Sequence, residues 1–399
     1  MYIDVMTEAY IVDAVRTPFG AEDGVFKETH PQDLAAKPLS ALAERNGIDA
    51  PGQVVEDVLY GCVTPVGEQG MNIARIAPLV AGWDETVPGV QLNRMCGSGQ
   101  QAVNFAAANI MANQHDVLIA GGVEHMTRVP MGIDGSTEVQ TVENPSSITP
   151  TYFEHFDEVT TQGEGAERIA DEYEFSRRDL DKLAVDSQNR WKEAWDAGKY
   201  DDQIVSVETT HEGEHITVER DEHPRPETDT ETLSKLPLAF RPSGDGVHHA
   251  GNSSGIVDGS TAVLLASEDA VAEQDWDPMA RIVATEVVGV DPLTMLKGPI
   301  PATEQVLEKA DMSIDDIDIF EVNEAFASVV AAWLEETGAD WEDTNVNGGA
   351  IAHGHPLGAT GGALIGKLAH ELQDANQQYA LATMCIGFGQ GVATILERV

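Results

Sequence analysis

Four short stretches of this 399-residue chain place reactive residue types at turns: Cys96 in NRMCGSG (93–99), Asn323 in NEAF, His355 in AHGHPLG and Cys385 in MCIG. A cysteine beside a histidine forms an activated nucleophile, because the imidazole takes the thiol proton. An asparagine amide adds a neutral donor and acceptor, and a second cysteine adds an acid/base group. Cys96 stands between a segment that reads as a short buried strand (87–92) and one that reads as a buried helix (100–112, with Val103, Phe105, Ile110 and Met111). Free N–H groups and the macrodipole at a helix start favour an anion. Such a position can bring a thiol pKa down from about 8.5 into the range of about 3.5–7.5. A structural cysteine in a tight Gly/Ser turn is equally compatible with the local sequence.

The elements that must position these turns recur along the chain. A strand at 10–15 is closed by Arg16-Thr17-Pro18, and a helix at 33–46 aligns Leu34, Leu39, Leu42 and Ala43 on one face. A strand at 57–63, a helix at 73–81, the Cys96 unit and a strand at 116–120, ending at Gly121-Gly122, follow. Later come a helix at 302–310, an acidic spacer at 311–316, a strand at 317–322 and a helix at 325–336. A strand-to-turn at 345–350, a helix through Leu364 and Leu368, and paired strands at 379–384 and 392–396 around the Gly387–Gly391 turn complete the series. Two copies of one pattern imply an internal duplication, and the strand/helix alternation implies a mixed α/β sheet covered by helices. In such a duplication equivalent turns meet near the pseudo-twofold axis, which lets the Cys96 and His355 turns face one another. The Pro-, Gly- and acid-rich middle, with one clear helix at 177–195, breaks the rhythm and reads as an inserted loop domain over one face. The expected division is 1–126 plus 247–272, 127–246, and 273–399.

Lys+Arg 23 against Asp+Glu 68 gives a net charge of −45. A surface of that sign repels nucleic acid and anionic lipid, so neither partner class is expected. The carboxylates are interleaved with periodic apolar residues rather than gathered in a tail, which fits a folded surface adapted to molar salt, where the screening length shortens to about 3 Å. Cys62, Cys96 and Cys385 make no disulfide framework in a chain of this length. Residues 1–15 lack the basic-then-apolar order of a leader, and no apolar run reaches membrane-spanning length. The expectation is a cytoplasmic protein. Cys62 reads as a core cysteine, and His211, His215 and His223 read as solvated surface in an acidic stretch.

From residue 9 to 399 the motifs NEAF, GGAIAHGHPLGA, GNSSGIVDG, GPIPA and CIGFGQG resemble, in order and spacing, the thiolase family of acyl-CoA acyltransferases. GGVEHM and ATMCIGFGQGVATILERV are similar to degradative 3-ketoacyl-CoA thiolases. The resemblance implies the thiolase fold: two similar βαβαβαββ halves in five layers, α-β-α-β-α, with an inserted loop domain, in a homodimer or homotetramer. It implies a ping-pong reaction in which Cys96 takes the acyl group as a thioester. His355 would deprotonate Cys96 and, with a water held by Asn323, stabilise one oxyanion. Cys385 would be the second acid/base, and the N–H groups of Cys96 and Gly387 would form the second oxyanion hole. Coenzyme A enters as a substrate, with no permanently bound cofactor. Arg225 maps to its nucleotide end, Phe240, Ala250 and Ser254 to the pantetheine region, and Met295 and Phe326 to the acyl tunnel.

His353 and His355 form an H-x-H pair, but Gly354 and Pro356 fit the family turn, so no metal is expected. Asn323 could alternatively cap a helix at 324–325. Three departures stand out. Residues 162–167 (QGEGAE) replace the histidine-methionine-glycine motif of biosynthetic short-chain members, His248-His249 replaces small or hydroxyl residues before AGN, and Phe388 stands where many members carry glycine. The implied activity is thiolytic cleavage of 3-ketoacyl-CoA. The alternatives are a biosynthetic acetyl-CoA C-acetyltransferase and a non-catalytic acyl-CoA-binding relative.

Overall fold

Alternating apolar residues give strands, and the helices between them cover both sheet faces. The structure, a computed structural model, describes residues 7–135 and 147–399. Residues 1–6 of the leader reading and 136–146 of the inserted region lie outside it. In chain order the first elements are β1 (Ala9–Arg16), β2 (Gly20–Ala21), α1 (Pro31–Arg45), α2 (Pro51–Val54), β3 (Asp57–Gly61), α3 (Ile73–Val80), β4 (Val90–Leu92), α4 (Ser98–Met111) and β5 (Val117–His125). The middle holds α5 (Gln162–Glu172), α6 (Arg177–Asp196), the hairpin β6 (Val207–His211) and β7 (Glu214–Val218), and α7 (Thr230–Leu233). Then come β8 (Val257–Ser267), α8 (Glu268–Gln274), β9 (Ala280–Gly289), α9 (Pro299–Ala310), β10 (Ile319–Val322), α10 (Ala327–Thr337), α11 (Ala350–His353), α12 (Leu357–Asp374), β11 (Tyr379–Ile386) and β12 (Gln390–Arg398).

The duplication is visible in the strand order. One half runs β4-β3-β5-β8-β1; the other runs β10-β11-β12-β9, with Thr344 bridging to Phe320 in parallel where β4 pairs with β3. The halves join through two residue pairs of β1 and β9, Tyr10 with Arg281 and Ile11 with Ala280. Ile11 of β1 faces the central helices while Val12 faces α1 and α3. A bulge at 11–13 then resets the alternation, so that Ala14 points inward and Val15 outward.

Three apolar clusters define the five layers. Residues of α4 and α12 pack between the two half-sheets, α1 and α3 cover the outer face of the first, and α9 and α10 cover that of the second. Helices α4 and α12 approach so closely that a Cβ on Gly361 would lie 2.0 Å from Gln100 N. The glycines 121–122 do not end a strand, as the sequence suggests. β5 continues through them to His125, because a Cβ on Gly122 would sit 2.0 Å from the Gly358 carbonyl oxygen.

Other expectations need correcting. β4 is three residues long at the sheet edge, so Val90 is exposed rather than buried. Phe105 lies on the outer face of α4 and is 46% exposed. Residues 345–350 form a turn, not a strand-to-turn, since only the Thr344 bridge reaches the sheet. The middle region holds a second long helix, α5, and a hairpin besides α6, because buried polar ties hold it to the body. Arg16 meets Asp221 at 2.6 Å, Ser187 Oγ donates to Glu324 at 2.6 Å, and His249 Nε2 lies 2.8 Å from Asp181.

Candidate active site

The Cys96 turn is wound on its own side chains. Met95 N–H donates to Asn93 Oδ1 (2.7 Å), and Ser98 Oγ accepts from Arg94 N–H (2.8 Å) while donating to the Met95 carbonyl (2.6 Å). Such local bonds stabilise a tight turn, here one that places Met95 at φ 46°. The cap of α4 is Gly97, so Cys96 stands one residue before the cap, at the helix N-terminus that the sequence suggests, and is 3% exposed. The dipole acts there against burial. Burial pushes the Cys96 thiol up, and hydrogen bonds from the Gln162 side chain and from the N–H groups of Gly387 and Cys96 itself oppose it only in part.

The other three turns come from the second half. Asn323 follows β10, its N–H donating to Thr383 O (3.0 Å). Its side chain does not cap α10, whose cap is Phe326; Asn323 Nδ2 lies 3.3 Å from His355 Nε2. His355 sits between α11 and α12 with its N–H on the Gly255 carbonyl (3.0 Å). Its Nδ1 lies 2.6 Å from Thr360 Oγ1, which donates its own proton to the Pro356 carbonyl (2.9 Å). Thr360 must then accept from Nδ1–H, which assigns the proton to Nδ1 and leaves the Nε2 lone pair facing Asn323. Burial lowers the His355 imidazole to about 4. His353 turns away to meet Phe19 edge-on at 5.6 Å.

Cys385 is the last residue but one of β11, opposite Gly391, and the following turn puts Phe388 at φ 59° and Gly389 at φ 75°. Burial pushes the Cys385 thiol well up, and the nearby Cys96 adds to the effect. Among the described residues no hydrogen bond joins Cys96 to His355; the sulfur's side-chain partner is Gln162 Nε2 at 3.4 Å.

Cys96, Gly387, Met295 and Phe388 line one cavity of about 200 Å³, together with Gln162 and Asp134. Arg225 and Ala250 line a second, larger groove of about 540 Å³ with His223 and Leu233. The Arg225 Nη1 is turned onto the carbonyls of Glu222, His223 and Pro224. Phe240, Ser254 and Phe326 line neither cavity. Phe240 meets Phe326 edge-on at 5.6 Å, and Ser254 N–H donates to the Ala325 carbonyl (2.9 Å). His223 is not a solvated histidine: it is half-buried, with Nδ1 2.8 Å from the Ala352 carbonyl, and burial lowers its pKa. His248 and His249 are fully buried, bound to Ser328 Oγ and Asp181 at 2.8 Å each, and tie the inserted helices to α10.

Sequence reasoning missed two supports. Thr360 carries no signal beyond lying five residues after His355. Glu124, inside the quoted GGVEHM, is fully buried and accepts from the N–H groups of Val63 (2.8 Å), Thr64 (3.1 Å) and Gly358 (3.0 Å) and from Gln69 Nε2 (3.0 Å). Burial pushes its carboxyl up, yet all four partners are donors, so the cradle fits a carboxylate. It ties the β3 end to the first turn of α12, which follows His355.

Residues 9–269 match the thiolase N-terminal domain and 276–398 the thiolase C-terminal domain. The chain is 44% identical to the 3-oxoadipyl-CoA/3-oxo-5,6-dehydrosuberyl-CoA thiolase of Escherichia coli (strain K12), covering 99% of this chain and 100% of the relative. It is 42% identical to the steroid 3-ketoacyl-CoA thiolase FadA6 of Mycobacterium tuberculosis, over 99% and 95%. The crystal structure of human mitochondrial 3-ketoacyl-CoA thiolase in complex with CoA superposes with a TM-score of 0.86 at 36% identity, covering 99% of each chain. With both halves matched and the five-layer fold in place, the chain belongs to the thiolase family of acyltransferases, enzymes that use CoA as a substrate.

Proposed function

We propose that Cys96 is the acyl-accepting nucleophile of a degradative thiolase acting on uncharged 3-ketoacyl-CoA. The observation that carries this reading is that Cys96 and Gly387, whose N–H groups are the oxyanion donors of this reading, stand together in the wall of the 200 Å³ cavity. Donors fixed there hold the oxyanion of a tetrahedral intermediate without reorganisation. Because burial raises the thiol and lowers His355, the resting pair is neutral, and His355 takes the proton as attack proceeds. Asn323 Oδ1, buried and unpartnered, is the acceptor that would hold the water of the other oxyanion site. In cleavage Cys96 attacks the 3-keto carbon, the C2–C3 bond breaks, and Cys385 protonates the departing acetyl-CoA carbanion. CoA then takes the acyl group from Cys96. The larger groove, with Arg225 and Ala250, is the CoA path in this reading.

The acyl cavity supports the substrate class. Asp134 is in its wall, no Lys or Arg is among the described residues lining it, and residues 136–146 contain none. Among the described residues of that wall, a terminal carboxylate, as in a 3-oxoadipyl chain, finds no counter-charge. The same reading takes 1–126 with 247–272, 127–246 and 273–399 as the structural units, assembled as a homodimer or homotetramer, cytoplasmic and salt-adapted. Among the described residues no helix is long and apolar enough to cross a membrane.

The test is a thiolysis series from C4 to C16 3-ketoacyl-CoA at several KCl concentrations, with 3-oxoadipyl-CoA beside its uncharged six-carbon counterpart. Activity is expected to extend beyond the C4 substrate and to prefer the uncharged chain, and the enzyme is expected to gain thermal stability with KCl. Activity confined to the C4 substrate would instead assign the biosynthetic reaction, and a melting temperature indifferent to KCl would remove the salt-adapted reading.

A further inference from the structure

The first turn of α5 brings a polar side chain to the reacting sulfur. Gln162 is the first residue of that helix, and its Nε2 donates to Cys96 Sγ at 3.4 Å. The same nitrogen lies 3.4 Å from where a Cβ on Gly387 would stand, so it reaches the sulfur from the side of the second backbone donor. Its position is held firmly. Glu164 pairs with Arg241 at 2.8 Å, Arg241 also pairs with Asp171 at 2.6 Å, and Glu167 accepts the N–H groups of Val247 (2.9 Å) and His248 (3.1 Å). Thr161 caps the helix through the Glu164 N–H, and the Phe240 ring closes on Gly163. A side chain on an element locked this way keeps its aim within the tolerance that catalysis needs.

We propose that the Gln162 amide is a catalytic group: a third hydrogen-bond donor to the Cys96 sulfur, beside the N–H groups of Cys96 and Gly387, that stabilises the thiolate form for attack. The inference rests on the reading of Cys96 as the nucleophile. It gives the inserted region a direct part in the chemistry that the two halves otherwise supply. A carboxamide suits the task because it donates without carrying charge. The donor leaves the buried sulfur free of a fixed counter-ion, so that the thiolate forms when His355 takes the proton.

The test is the pH dependence of Cys96 alkylation by iodoacetamide, followed by mass spectrometry of the Cys96 peptide, in the wild type and in Gln162→Met and Gln162→Glu. Losing a donor to an ionised sulfur should lower the thiolate fraction about tenfold, moving the alkylation midpoint up by about one pH unit. The remaining thiolate becomes about threefold more nucleophilic, by a Brønsted slope of about 0.4–0.5. Alkylation of Gln162→Met near pH 7 is therefore expected to be about threefold slower, with a higher limiting rate at alkaline pH. Gln162→Glu, which keeps the side chain's shape and serves alone if the first variant does not fold, should move the midpoint further through repulsion. Midpoints unchanged in the folded variants would overturn the proposal while leaving Cys96 as nucleophile. Full thiolysis by Cys96→Ser would remove the nucleophile reading and this inference with it.

Discussion

Thr360 fixes the proton of His355: its Oγ1 lies 2.6 Å from Nδ1 and spends its own hydrogen on the Pro356 carbonyl at 2.9 Å. The imidazole is thereby held in the one tautomer whose Nε2 can act as a base. Replacing Thr360 by valine keeps the volume and removes the oxygen, leaving a buried N–H without an acceptor. The expected result is a loss of about 1–3 kcal/mol in stability and of about 10²-fold in kcat, as for a misplaced catalytic group. Thr360→Ser should restore most of both. A Thr360→Val enzyme within twofold of wild type would show that the tautomer is set elsewhere.

Burial lowers His355 to about 4, which fixes the sign of two pH effects. As a base the ring must be neutral, so the acid limb of kcat/KM is expected near pH 4 rather than near the 6.5 of a solvated histidine. In the unfolded chain the ring binds a proton below about 6.5, whereas the native ring resists until about 4. Its contribution to stability is therefore complete above pH 6.5 and is lost as pH falls toward 4, amounting to about 3 kcal/mol. Denaturant midpoints for wild type and His355→Gln between pH 4 and 7 measure it. The variant should show the shallower slope.

On the proposed mechanism, Cys385 separates the two half-reactions. Its thiol is pushed well up by burial and by the neighbouring Cys96, so it rests as a protonated acid. Replacing it by alanine removes the proton donor for the acetyl-CoA carbanion and should slow thiolysis about 10²–10⁴-fold. Acyl exchange between a saturated acyl-CoA and labelled CoA, which needs the Cys96 thioester but no carbanion, should persist at near wild-type rate. Equal loss of both reactions would place Cys385 in the first transfer as well.

Much of this site was legible because turns keep chemistry local: NRMCGSG, NEAF, AHGHPLG and CIGFGQG each carry their residue on a strand end or a helix start. The layers were legible for a similar reason, since Leu39, Leu42 and Ala43 repeat at helical spacing and bury together, while Leu34 of the same helix packs apart from them against Phe26 and Val207. What could not be read was pairing across the chain. Gly121-Gly122 looks like a turn until α12 is seen to press on it, and His223 looks solvated until Ala352 meets it. The helix start beside Cys96 is legible from its sequence neighbours, whereas the burial that pushes its thiol up is shared with residues about 290 positions away, Ile386 and Val392, in the same apolar cluster. Gln162 was visible as a departure from a motif; its distance to the sulfur was not.

Glu124 is the remaining support whose loss can be foreseen. Its carboxylate gathers donors from the 63–64 loop, from Gln69 and from Gly358 in the first turn of α12, and the positive end of that helix favours the negative charge. Glu124→Gln keeps the shape but turns one oxygen into an NH₂ that faces N–H donors. Whichever way the amide is set, two donors lose their acceptor inside the core. Each buried unsatisfied donor costs about 1–3 kcal/mol, so a destabilisation of about 2–6 kcal/mol is expected by chemical denaturation. Because the same carboxylate holds the segment after His355, kcat should fall in the folded fraction with little change in KM for CoA, for which the groove at Arg225 and Ala250 is the proposed path. Unchanged kcat in the folded variant would confine Glu124 to stability, with the His355 turn held by Gly255 and Thr360 alone.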